Sequence, residues 1–155
     1  MKRFEHLGET WEAVPTGTGR GVGFVGLGGA LPAVNKWGVV FRSITKPDRG
    51  EYRADISHAD PLHADEAELK SALEEQLVLA AINRSRYIWR PAEAIARDTR
   101  LTLDRVLFIL ENTIEAEVIS GDENSQGLLL YTTQEHLSKA SGDFMKQYYR
   151  TQESS

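Results

Sequence analysis

Apolar positions change period along this chain. Residues 37–45 and 51–56 are runs of β-branched and aromatic side chains, and Lys46-Pro47-Asp48-Arg49-Gly50 between them has turn chemistry. That pattern predicts a β-hairpin, with residues 9–14 as a further strand. From Asp65 the period becomes helical. Leu69, Leu73, Leu77, Ala80 and Ala81 recur on one face, and Asp65 and Glu68 have capping-box spacing. This first helix is expected to end near Arg84. Tyr87-Ile88-Trp89 reads as a short strand. Pro91 suits the first turn of a second helix ending near Thr99, and Thr102 can cap a third running to about Thr113. Residues 114–120 and 128–132 read as strands joined by the turn GDENSQG. Thr132-Thr133-Gln134-Glu135 reads as a capping box opening a last helix, with Leu137, Ala140, Phe144 and Tyr148 along one side.

Helix, short strand, helix, helix, strand, wing, strand, helix is the order of the winged helix-turn-helix superfamily, which residues 65–150 resemble. The spacing of Ala94-Ile95-Ala96, Leu101, Val106 and Leu110 is similar to that of many bacterial helix-turn-helix units. Arg100 stands where the turn often carries glycine. The expected fold class is α+β: a winged helix domain at 65–150, preceded by a Gly-rich β-hairpin extension at 1–60 and followed by a frayed tail at 151–155. The resemblance implies that the second motif helix, 102–113, is presented to a partner.

Charge alters what that partner should be. The net charge is −5, from 18 basic and 23 acidic residues. Residues 1–64 carry 8 basic and 7 acidic side chains, whereas 65–155 carry 10 and 16. The half with the DNA-binding-like pattern is therefore the acidic half, which lowers the expectation of nucleic-acid binding. Hydrophobic residues make up 41%, enough for a packed core. The absence of cysteine removes disulfides, zinc thiolates and thiol nucleophiles, and fits a cytoplasmic protein. No secretory signal is read at the N-terminus. The most apolar run, 22–34, is about half a bilayer span and is broken by Pro32, so no membrane segment is expected.

Helical spacing turns Val106, Leu110 and Thr113 inward on helix 102–113, with Ile109 and Leu103 flanking them. The outward face then carries Asp104, Phe108, Glu111 and Asn112, with Arg105 and Leu107 at its edges. Groove-reading helices offer Arg, Lys, Asn or Gln to base edges, whereas Phe108 beside Leu107 suits a protein groove. The wing adds Asp122 and Glu123 and no basic residue. The expected role is a non-enzymatic interaction or regulatory module. It would bind another protein, or a second copy of itself, through Asp104, Leu107, Phe108, Glu111, Asn112, Asp122 and Glu123. The competing bland reading is a packed helix and a solvated turn. The alternative function is a dimeric DNA-binding regulator using Arg84, Arg86, Arg90, Arg97, Arg100 and Arg105, whose own bland reading is a set of surface ion pairs with Glu93, Asp98 and Asp104.

Other motifs carry less. Seven glycines between Gly17 and Gly29 exclude a regular helix there. Gly21-Val22-Gly23-Phe24-Val25-Gly26 matches GxGxxG, but LGGALP after it breaks helices, so no dinucleotide site is expected. The segment instead reads as irregular β structure that orders against something. His6, His58, His63 and His136 lack a metal-ligand pattern, even with Asp55, Asp60 and Asp65 near two of them. No cofactor, metal, catalytic group or small-molecule substrate is assigned.

Overall fold

The structure, a computed structural model, describes residues 1–21, 25–26, 29–30, 35–58, 60–113, 118–123 and 127–140, with side chains described outside 17–35, 113–122 and 139–140. The fold is mixed α and β. Strands β1 (Lys2–His6), β2 (Glu9–Gly21), β5 (Asn35–Ser43) and β6 (Glu51–Ile56) form a four-stranded antiparallel sheet in the order β1-β2-β5-β6. Two-residue strands β3 (Val25–Gly26) and β4 (Gly29–Ala30) pair with each other between β2 and β5. Helix α1 (Glu66–Asn83) follows. Then come β7 (Arg90–Pro91), α2 (Ala92–Thr99), α3 (Leu103–Phe108), β8 (Val118–Glu123), β9 (Leu129–Thr133) and α4 (Gln134–Ala140). The second sheet has the order β7-β9-β8. Two compact units result, 1–76 and 77–155, and the division falls inside α1.

In the first unit, strand alternation separates two faces. The register puts Phe4, Trp11, Ala13, Phe41 and Tyr52 on one side, all buried. Phe4 meets Phe41 edge to face at 6.0 Å, and Trp11 meets Tyr52 at 5.8 Å. Glu9 shares that face and is 1% exposed. Its carboxylate accepts from Ser43 Oγ at 2.8 Å and from Arg49 Nη1 at 2.5 Å. Arg49 reaches it from the 3-10 turn Pro47–Arg49 and lies 5.2 Å from the Trp11 ring centroid. The KPDRG segment therefore does more than reverse the chain: it delivers the cation that neutralises a buried carboxylate. The opposite face carries Arg3, Glu12, Arg42 and Glu51 in one cross-strand row.

The expected hairpin at 37–56 and strand at 9–14 are present, but as parts of a larger sheet. Strand β1 was not expected. It joins β2 through Leu7 and Gly8, both at positive φ (54° and 75°), the geometry of a two-residue type I′ turn. The glycine segment continues β2 past an irregularity between Pro15 and Gly19, so Gly19 pairs with Trp37 and Gly21 with Asn35. The last residues of the GxGxxG match lie in β3, a strand rather than the helix start a dinucleotide site needs.

Helix α1 has the expected extent, but its capping box is used otherwise. The Glu68 carboxylate accepts from the Ser57 N–H at 2.7 Å and from Ser57 Oγ at 2.8 Å, fastening the end of β6. His6 Nε2 lies 3.1 Å from Glu74 Oε2, and Lys2 Nζ donates to the Ala64 carbonyl at 3.0 Å. Leu69 and Leu73 are buried at 0% exposure.

In the second unit, the short strand falls at Arg90–Pro91 rather than at Tyr87–Trp89. Proline removes one donor and so suits the end of an edge strand. Pro91 (φ −72°, ψ 152°) is the residue before α2, one position earlier than expected. Thr102 caps α3 as expected, accepting from the Arg105 N–H at 3.2 Å. The helix continues to Thr113 as a π-helical turn, Ile109–Thr113. Strand β8 extends to Glu123, so Gly121 to Glu123 lie in strand and not in the expected turn. Expected strand residues 114–117 lie outside the described residues. The α4 cap is Thr133, not Thr132: its Oγ1 accepts from the His136 N–H at 3.0 Å. Thr133 Oγ1 also donates to Asn83 Oδ1, and Asn83 Nδ2 donates to Glu135 at 2.9 Å. Phe144 and Tyr148 lie outside the described residues, as does the tail. Leu73, Leu77, Ile95, Val106 and Leu110 are each buried, while the Ile114 side chain is not described.

Candidate functional site

Helix α3 separates its faces sharply. Val106 and Ile109 are at 0% exposure and Leu110 at 3%, whereas Phe108 is 51% exposed. Asp104, Glu111 and Asn112 are exposed and Leu107 is half-buried. Leu103, expected to flank the core, is 39% exposed and adds to the apolar surface. The Arg105 guanidinium lies 5.5 Å from the Phe108 ring centroid, within cation–π range. Asn112 Nδ2 donates to the Phe108 carbonyl at 3.2 Å. Within the π turn, Glu111 and Asn112 are exposed while Leu110 remains enclosed, the facing that helical spacing predicts.

The carboxylates expected in surface ion pairs divide. Asp98 pairs with Arg90 at 2.6 Å and with Arg97 at 3.6 Å. Glu93, Asp104 and Glu111 have no ion pair among the described residues. In the wing, Glu123 is exposed and stands opposite Leu129, which is 45% exposed. The Asp122 side chain lies outside the described ones.

The six arginines do not form one basic surface. Arg90 is 4% exposed: Nη1 donates to the Ala81 carbonyl and Nη2 to Asp98, each at 2.6 Å. It fastens the end of α1 to α2 and is withdrawn from any outside ligand. Arg86 donates to Tyr87 Oη at 2.8 Å, and Arg105 is turned to Phe108. Arg84, Arg97 and Arg100 are exposed. Arg100 closes α2 in the left-handed conformation (φ 65°, ψ 13°), the position glycine often takes.

Sequence reasoning missed Tyr131 and Leu129. Tyr131 reads as an ordinary strand residue, yet its phenol pKa is raised, first by burial and then by the charges of Glu111 and Glu93. It also missed the contact of Ser57, His58 and Glu68. His58 Nδ1 lies 3.1 Å from Ser57 Oγ, while the hydroxyl bonds to Glu68. Imidazole and carboxylate both meet the hydroxyl, so the order of a nucleophilic relay, in which the imidazole lies between the other two, is not present. Burial pushes the Glu68 pKa up, but the Ser57 N–H and hydroxyl, with the charges of His58 and Lys36, bring it below its ordinary value. Among the described residues, no group of three or more His, Asp or Glu could hold a metal ion, and no helix is long and apolar enough to cross a membrane.

Comparison of the chain with protein-family models, with curated proteins and with solved structures found no match.

Proposed function

We propose that residues 65–150 act as a winged-helix interaction module without enzymatic activity, binding a protein or a second copy of the chain through helix 102–113 and the acidic wing. The element order α1, β7, α2, α3, β8, β9, with β9 central in its sheet, supports the winged-helix reading. The observation that carries the function is Phe108. A half-exposed aromatic side chain stands on the presented helix beside Asp104 and Glu111, which no cation of the described chain neutralises. Phosphates are repelled by such a surface, whereas a protein groove gains from covering the ring.

A DNA-binding regulator remains the second reading because Arg84, Arg86, Arg97 and Arg100 are exposed. Burial of Arg90 and the turning of Arg105 to Phe108 take two of its six cations away.

The test is capture from native lysate with the full chain, with and without nuclease. Nuclease-resistant partners, lost in the Phe108→Ser variant, are expected. Capture unchanged by Phe108→Ser, or abolished by nuclease and by Arg97→Ala with Arg100→Ala, overturns the interaction reading.

A further inference from the structure

The first sheet ends on two edge strands, β1 and β6, and they differ in how they meet another chain. An edge strand offers its backbone for pairing unless proline, a bulge or an inward-pointing charge discourages it. Strand β1 has such a charge: Lys2 shares the inner face with Phe4 and donates to the Ala64 carbonyl. Strand β6 has none of these guards. Its six residues include no proline, and they pair with β5 from Trp37↔Ile56 to Arg42↔Glu51 without a register shift. Its inner-face positions, Tyr52, Ala54 and Ile56, carry no charge. Glu51, Arg53 and Asp55 alternate with them on the outer face. Those outer charges are of both signs, so they select a register rather than forbid pairing. Glu51 and Arg53 are exposed, and Ala54 and Asp55 are half-buried. Among the described residues, β5 is the one strand beside β6.

We propose that β6 pairs antiparallel with β6 of a second copy of this chain, about a two-fold axis at Ala54, joining the two sheets into one. Directly opposite residues of an antiparallel pair share a face, and unlike charges there stabilise it. With Ala54 opposite Ala54 of the second copy, Arg53 faces Asp55 and Asp55 faces Arg53 on the outer side. Tyr52 then faces Ile56 on the inner side, extending the buried layer to which both belong. Other registers serve less well. Centring on Arg53 sets Arg53 against Arg53 and Glu51 against Asp55. Centring on Asp55 sets that carboxylate against itself. Centring on Tyr52 sets Glu51 against Arg53 but pairs no part of the strand beyond Arg53. A slip by one residue turns the outer face of one copy toward the inner side of the other. The two-fold contact consumes the edge it uses, so the assembly closes as a dimer. This surface belongs to the first unit, and the inference does not depend on the reading of α3.

The test is sedimentation equilibrium of the full chain at physiological salt, from micromolar to near-millimolar concentration. A monomer–dimer equilibrium without larger species is expected. Arg53→Asp and Asp55→Arg each set like charges opposite one another at both symmetric contacts. Each should weaken dimerisation by about tenfold or more. Mixed in equal amounts, the two variants regain unlike charges at both contacts and should form a heterodimer about as stable as the parent dimer. Phe108→Ser should leave the equilibrium unchanged. Thermal melts report whether the single variants are folded. If either is not, hydrogen exchange of the parent chain decides: the amides of residues 51–56 should exchange more slowly as concentration rises, and unaltered exchange there overturns the pairing. A chain that stays monomeric throughout also overturns it, as does failure of the two folded variants to associate when mixed. A dimer indifferent to both charge reversals but lost in Phe108→Ser overturns the β6 contact and assigns the dimer to α3.

Discussion

Two solvent-facing surfaces of this protein treat charge in opposite ways. On the outer face of the first sheet, apart from the Val14–Val40 pair, charges alternate across the strands: Arg3 opposite Glu12, Glu12 opposite Arg42, and Arg42 opposite Glu51, with the last pair at 3.1 Å. Cross-strand neighbours of opposite sign stabilise a sheet modestly and leave little net field. In the second unit, by contrast, Glu93, Asp104, Glu111 and Glu123 are exposed, as are Phe108, Leu103 and Leu129. One face is completed by its own chain. On the other, Glu93, Asp104 and Glu111 have no ion pair among the described residues, and the proposed function rests on that contrast.

The contrast can be broken most sharply within α3 itself. Val106 and Phe108 are two residues apart but differ in exposure from 0% to 51%. Val106→Asp buries an unpaired carboxylate and should lower the unfolding free energy by about 4 kcal/mol or more. Phe108→Ser should leave it within about 0.5 kcal/mol, because a surface substitution away from special features has little effect. Urea titrations of the two variants make the check. Comparable destabilisation by both would show that Phe108 is a core residue and that this surface is complete without a partner.

Next in size come the two buried charges, one in each unit. Glu9 is held by Arg49 and Ser43, and Arg90 by Asp98 and the Ala81 carbonyl. Removing one partner strands the other in a poorly solvated place. Glu9→Ala and Arg90→Ala should each cost about 3 kcal/mol. Arg97→Ala, at an exposed ion pair, should cost less than about 1 kcal/mol. If Arg90→Ala resembled Arg97→Ala in stability yet abolished duplex binding, Arg90 would belong to a nucleic-acid surface and not to the core.

These residues also mark the limit of what the chain reveals as a string. Helices α1, α2 and α3 were legible because apolar spacing and local caps such as Thr102 are short-range signals. The Glu9–Arg49 pair joins residues 40 apart, and nothing near either one announces the other. Strand β1 was illegible because Phe4 is its single buried residue, so KRFEH shows no alternation of apolar positions. Capping boxes misled twice, at Glu68 and at Thr132. A carboxylate or hydroxyl at the right spacing takes the best donor in three dimensions, and Ser57 won for Glu68. At α4 the helix began one residue later, with Thr133 in the cap. The face of α3 was readable from period except at Leu103, which was expected to flank the core and is 39% exposed. The burial of Tyr131 and the influence of Glu111 and Glu93 on its phenol depend on tertiary placement, which period does not encode.

Among the described residues, each unit also spends one residue other than glycine in the left-handed region, Leu7 in the first and Arg100 in the second. That conformation costs a residue with a Cβ about 1–2 kcal/mol, partly offset on replacement by the greater unfolded-state freedom of glycine. Arg100→Gly should therefore stabilise by up to about 1 kcal/mol. Leu7→Asn, which gives the Asn-Gly pair a type I′ turn favours, should stabilise by about 0.5 kcal/mol. A loss of stability in Arg100→Gly would mean that the arginine side chain contributes more than its backbone costs.

The smallest effects lie at the two ends of the pH scale, one for each region. Glu68 in the first unit has its pKa lowered from an ordinary 4.5. Its contribution is present above that value and is lost as pH falls through the folded one, where protonation loosens the Ser57 contacts. Tyr131 in the second unit has its pKa raised from an ordinary 10.0, by burial and by Glu111 and Glu93. Its neutral form suits the folded state, so stability is retained below 10 and lost as pH rises through the folded value. Glu68→Gln should flatten the acid limb of a stability–pH curve and leave the alkaline limb unchanged, while Tyr131→Phe should do the opposite. Glu93→Gln with Glu111→Gln should bring the Tyr131 phenol back toward its ordinary range when ionisation is followed by ultraviolet absorbance. A phenol titration indifferent to both carboxylates would leave burial as the sole cause of the raised value.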